Sequence, residues 1–191
     1  MKNIVVITIK LLVITVIAGI ILGVVNGVTR EPIAQQATKE ATQARQAVFP
    51  EAADFQKMDI DIPEEYAIIK EVYEALDADG NVIGITAAVA TKGYSSGLNL
   101  SVGVGADGYI KGVSVVSHNE TVGLGAKAQD VLSPQFAAGK PYDQPLEVVK
   151  HAAENDYQVE AITGATITSK GVTNAVNTVA EFYKQMAGGA Q

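Results

Sequence analysis

Between residues 11 and 29 the chain carries no charged side chain, and its run LLVITVIAGIILGVV is almost wholly aliphatic. At about 1.5 Å per residue a helix over this stretch is roughly 28 Å long, close to the hydrocarbon thickness of a bilayer. A cleaved secretory segment has a shorter apolar region, of about 7–15 residues, ending at a small-x-small site. The sequence that follows here, NGVTREPIA, offers no such site, so the reading is an uncleaved membrane anchor. The α-amino group, Lys2 and Lys10 precede the span, whereas Arg30 is followed at once by Glu31. Positive charge stays inside, so a single pass of the cell membrane is expected, with a cytoplasmic N-terminus and everything after the span extracytoplasmic.

Enough chain remains for one globular domain, since about 150 residues bury roughly two-thirds of their unfolded surface. That remainder is acidic. The protein holds 21 Asp and Glu against 14 Lys and Arg, and two of the cations, Lys2 and Lys10, lie before the apolar run. Such a surface repels phosphate backbones, which excludes nucleic acid as a partner. The absence of cysteine excludes disulfides, thiolate metal sites, cysteine nucleophiles and a lipidated cysteine, and leaves the compartment open.

Three segments are expected: an anchor over 1–29, a juxtamembrane helix and linker over 30–62, and a domain over 63–191. Residues 32–48, PIAQQATKEATQARQAV, read as a helix with Pro32 in its first turn. Pro50 and Pro63 bracket an acidic joint. Strands are expected over 66–76, 82–90, 98–104 and 109–117, paired through the Asp79-Gly80 and Asp107-Gly108 turns. Residues 129–138 suggest a short helix broken at Pro134, and 146–149 and 157–162 suggest short strands. Val172, Val176, Val179, Tyr183 and Met186 form one helical stripe, capped by Thr168 or Ser169 and ended by the tail GGAQ. Strands followed by segregated helices indicate an α+β domain.

Two motifs invite a wrong reading. Gly103-Val-Gly105-Ala-Asp-Gly108 matches the dinucleotide fingerprint, yet the last glycine leads into YIKGVSVVS, which alternates as a strand and not as a helix. Asp77, Asp79 and Asn81 have calcium-loop spacing, but Val82 and Ala88 stand where Gly and Glu belong. Both read as hairpin turns. His118 and His151 are too isolated to argue a metal site, and no catalytic or metal-binding residue is assigned.

Thr163-Gly164-Ala165-Thr166-Ile167-Thr168-Ser169 is less easily read as structural, with four hydroxyls in seven residues between a strand and the last helix. Composition alone favours a capping turn. However, TGATITSKGV resembles the flavinylation motif of the FMN-binding domain shared by the G subunit of Rnf complexes and the C subunit of sodium-translocating NADH:quinone reductase. SHNETVGLG, residues 117–125, resembles a second loop of that family, with Val122 where Pro is common, and Gly93-Tyr94 with Gly97 matches its entry loop.

The resemblance implies FMN joined by a phosphoester to Thr166, installed by a separate flavin transferase. Glu160 stands where the family has Asp. The implied cofactor-binding residues are Thr163, Gly164, Ala165, Thr166, Thr168 and Ser169 in the motif, Glu120, Thr121, Gly123, Leu124 and Gly125 in the loop, and Tyr94. A phosphoester needs a hydroxyl, Gly164 lets the backbone approach the phosphate, and the redox chemistry belongs to the flavin. The implied function is that of an electron-relay subunit of a membrane-bound ferredoxin:NAD oxidoreductase that moves ions, without a complete active site of its own. The anchor bears no acidic residue and one helix forms no ion path, so other membrane subunits are implied. The alternatives are the C-type quinone-reductase subunit, a non-catalytic flavin-binding sensory or scaffold module, and an anchored adhesion-type domain without flavin.

Overall fold

The computed structural model describes residues 2–188, and the chain divides into two units between residues 40 and 41. Met1 and the last three residues of the expected GGAQ tail lie outside the described residues.

The described residues of the first unit are all helical and make up the greater part of α1 (Lys2–Val48). This helix is long and apolar enough to cross a membrane, with a mean hydropathy of 2.9 over its most apolar window and none of that window buried in protein. Three of its threonines satisfy their hydroxyls locally. The hydroxyls of Thr8, Thr15 and Thr29 donate to the carbonyls of Ile4, Leu11 and Val25 at 2.8–3.1 Å, the back-bonding open to hydroxyls inside a helix. The helix does not restart at Pro32, which lies within it. Proline removes one backbone hydrogen bond, a loss that the flanking Ala, Gln and Glu residues, good helix formers, tolerate.

The second unit is an α+β domain. Its six-stranded antiparallel sheet is a meander of β1 (Asp54–Lys57), β2 (Ile69–Leu76), β3 (Val82–Lys92), β4 (Ser96–Gly105), β5 (Tyr109–Ser117) and β6 (Lys140–Pro141). Both Asp-Gly turns form, with Gly80 at φ +82° and Gly108 at +93°. The fingerprint-like glycines thus belong to the β4–β5 hairpin, and the Asp77 carboxylate accepts from the amides of Asp79 and Asn81 as a turn should. After the sheet come α2 (Ala128–Val131) and α3 (Ser133–Ala137), whose break falls at Leu132, with Pro134 in the first turn of α3. β7 (Glu147–Val149) and β8 (Gln158–Glu160) form a separate parallel pair. The chain then enters α4 (Thr166–Gly188).

Alternation along the strands decides which face α4 covers. Leu98, Leu100, Val102 and Val104 of β4 point into the main core with Ile85, Ala87 and Val89 of β3, against Val172, Val176 and Val179 of α4. Tyr183 and Met186, at the end of the stripe, are half-buried. Asn177 closes the join to β7, donating to the Leu146 carbonyl and accepting from its amide, both at 2.9 Å.

The joint expected between Pro50 and Pro63 is more ordered than those prolines suggest. It contains β1, paired with β2 from Asp54 opposite Leu76 to Lys57 opposite Tyr73. The last turn of α1 belongs to the domain. Val48 and Phe49 are fully buried, Phe49 with Ala52 and Ala75. A Cβ on Gly103 or Gly112, which pair across β4 and β5, would lie 3.0–3.2 Å from the Val48 backbone. Arg45 stacks on Tyr73 at 4.1 Å, and Lys111 bridges Glu51 and Asp107. The paired glycines therefore form a seat for a helix end.

Candidate functional site

The site is organised by one carboxylate. Glu120, only 7% exposed, accepts from the Ser95 amide at 2.9 Å and from the Thr168 hydroxyl at 2.6 Å. It thereby ties together the turn after β3, the loop after β5 and the first turn of α4. Hydrogen bonds to a buried carboxylate are strong, and breaking one partner leaves the other unsatisfied. Gly125 packs so closely that a Cβ there would lie 2.6 Å from the Thr168 hydroxyl and would overlap the carboxylate. Gly164 has φ +78°, which only glycine adopts readily, and this turns the chain from β8 into α4.

These contacts enclose a cavity of about 450 Å³, within the usual range for small-molecule sites of about 300–1,000 Å³. Of the expected residues, Tyr94, Glu120, Thr121, Leu124, Gly125, Gly164, Ala165, Thr166 and Thr168 all line it. Thr163, Gly123 and Ser169 do not. Thr163 lines a neighbouring cleft of about 310 Å³ with Lys150, Ala161, Ile162, Gly164 and Thr166. Four lining residues escaped the sequence reading, Ala161 and Ile162 at the end of a strand candidate among them. Ile167 lay inside the recognised motif, whereas nothing in the pattern around Lys150 marked it.

The four hydroxyls have different surroundings, and the expected cap is corrected. α4 begins at Thr166, with Ala165 in the cap position, so Thr168 and Ser169 lie inside the first turn. Neither caps because both are drawn inward, and both are fully buried. Thr168 is committed to Glu120, while Ser169 donates to the Ala165 carbonyl at 3.1 Å and accepts from the Ile162 amide at 3.0 Å. Thr163 is exposed. Thr166 is half-buried, lines both clefts, and makes no side-chain hydrogen bond among the described residues.

Apolar side chains on the cavity wall stand exposed, Tyr94 at 68% and Leu124 and Ile167 to a lesser degree, and Val122, in the loop that carries Leu124, is 91% exposed. Both histidines are exposed. His118 accepts from the Glu120 amide at 3.3 Å, and His151 lies against its neighbour's carbonyl. The Glu160 carboxylate is exposed on β8, whose backbone is held there by the Gln135 side chain.

Residues 93–181 match the FMN-binding domain family. The chain is 37% identical to the G subunit of the Na(+)-translocating ferredoxin:NAD(+) oxidoreductase complex of Acetobacterium woodii, an alignment covering 93% of this chain and 90% of that protein. It is 33% identical to the G subunit of the proton-translocating ferredoxin:NAD(+) oxidoreductase complex of Clostridium ljungdahlii, over 96% of this chain and 93% of the other. The crystal structure of Shewanella oneidensis NqrC shares the fold, with a TM-score of 0.52 at 24% identity over 73% of each chain.

Proposed function

Because the chain belongs to the family of G subunits of ion-translocating ferredoxin:NAD(+) oxidoreductase complexes, we propose that it relays electrons within such a complex through FMN esterified to Thr166. The domain is an FMN-binding domain, and its relatives are subunits of multi-subunit redox complexes. The carrying observation is the contrast among the hydroxyls. Thr166 is free at the mouth of the cavity, Thr168 and Ser169 are buried and committed, and Thr163 opens only on the smaller cleft.

The residues present suit the cofactor. Tyr94, Leu124 and Ile167 offer apolar surface to a planar ring, Gly125 lets Glu120 and Thr168 approach each other beneath it, and Thr166 supplies the ester oxygen. The start of α4 favours the negative charge that a phosphodiester retains. FMN bound there supplies the electron chemistry. Glu120 holds the first turn of α4 so that Thr166 faces outward while Thr168 faces in. The flavin domain lies outside the cytoplasm in this reading, where a covalent bond guards against loss of a cofactor with no local supply. The remaining membrane subunits provide the ion path, and a flavin transferase matures the protein. The C-type quinone-reductase alternative has only a likeness of fold behind it.

The test is intact-protein mass after co-expression with a flavin transferase. The unaltered chain gains one FMN ester and Thr166→Ala gains none, with a melting temperature within a few degrees of the parent. Flavin surviving denaturation of Thr166→Ala would move the linkage to Thr163, since Thr168 is buried against Glu120.

A further inference from the structure

β7 and β8 pair in parallel with Val149 opposite Glu160, and the Ala161 amide donates to the Val149 carbonyl at 2.8 Å. This pairing brings Lys150, one residue past β7, beside the segment that leads into α4. Lys150 lines the smaller cleft of about 310 Å³, whose wall shares Gly164 and Thr166 with the larger cavity. Lys150 is the one cationic side chain on the wall of either cleft. It is exposed, and among the described residues it makes no hydrogen bond and no ion pair, although the chain has an excess of carboxylates.

The two clefts meeting at Thr166 thus differ in charge. The larger holds the buried Glu120 carboxylate and an apolar wall, which suits a ring and repels a phosphate. The smaller holds an unpaired ammonium, which attracts one. We propose that Lys150 is a positioning residue that holds the phosphate of the flavin in the smaller cleft and so aims the ring into the larger one. This rests on the reading of Thr166 as the flavin attachment site. In the attachment step the Thr166 Oγ–P bond forms, a P–O bond of the pyrophosphate in a flavin dinucleotide breaks, and a nucleoside monophosphate leaves as the hydroxyl proton is released. Lys150 holds the phosphorus group that stays behind, both before and after transfer.

Two readouts on the full chain test this. In the apo protein, FMN and riboflavin are titrated separately and their affinities compared, because Lys150 acts on phosphate alone. FMN is expected to bind about tenfold more tightly than riboflavin, the value of one hydrogen bond to a charged group. Lys150→Gln should lower the ratio several-fold, leaving only the preference due to the start of α4, Lys150→Arg should keep it, and both should melt as the parent does. With the transferase present, Lys150→Gln should acquire flavin about tenfold more slowly. An unchanged FMN-to-riboflavin ratio in Lys150→Gln overturns the proposal, even if transfer slows, because Lys150 would then be acting on the transferase. Absence of any flavin adduct on the unaltered chain overturns the Thr166 reading itself, a result distinct from normal loading with no effect at Lys150.

Discussion

Thr166 and Thr168 are two residues apart in one helical turn, yet only the first has a hydroxyl open to reaction. Helical geometry turns them to different faces, and Glu120 settles which face is inward by accepting a hydrogen bond from the Thr168 hydroxyl at 2.6 Å. Removing that acceptor leaves the Ser95 amide and the Thr168 hydroxyl without their partner. Glu120→Ala is expected to cost about 2–3 kcal/mol in urea unfolding. Glu120→Gln should cost less than half as much, since an amide oxygen still accepts from Ser95 and a threonine hydroxyl reverses its role readily. Equal midpoints for Glu120→Ala and the parent would show that the carboxylate does not hold the site together. The candidate residues around Thr166 and Glu120 were legible because they sit in two short, dense motifs. Lys150 was not legible, because its place beside Thr166 depends on the pairing of two three-residue strands with no distinctive sequence of their own.

At the scale of elements, the end of α1 and the β4–β5 hairpin explain each other. Gly103 and Gly112 are paired across the hairpin, and Val48 rests on them. Gly112→Val would drive a branched side chain into the Val48 backbone, so overpacking should destabilise the domain by about 1–3 kcal/mol. The same change should raise the rate of tryptic cleavage at Arg45, whose guanidinium stacks on Tyr73 in the parent. An unchanged midpoint and cleavage rate would mean that the helix end contributes nothing to the domain. The strong elements were readable in advance: the hairpins from their Asp-Gly turns, and α4 from its valine stripe. β1 was not, because four residues with one half-buried side chain carry no periodic signal, and their pairing with β2 decides the matter.

For the whole molecule, the division at residue 40 bears on accessibility and topology. Arg30 and Lys39 are exposed on a helical stretch with no buried residue, whereas Arg45 is half-buried within the domain. Backbone lacking tertiary contacts opens locally at little cost. Trypsin added to cells stripped of any outer barrier is therefore expected to cut at Arg30 and Lys39, to spare Arg45 at first, and to release a soluble domain that keeps its flavin. Protection in such cells, with cleavage only in inverted vesicles, would put the domain in the cytoplasm and reverse the proposed orientation.

The sequence by itself determined a helix long and apolar enough to cross a membrane, the α+β class, the two motif loops and the threonine proposed to carry flavin. Each of these is written locally, in an uncharged run, in strand and helix periods, or in a handful of adjacent residues. Only the tertiary structure decided which hydroxyls are free, which glycines serve as a seat, and which lysine stands beside Thr166. Those are relations between segments distant along the chain. The register of β7 against β8, the buried carboxylate joining two loops to the first turn of α4, and the covered pair of glycines exist only once the sheet has closed on its neighbours.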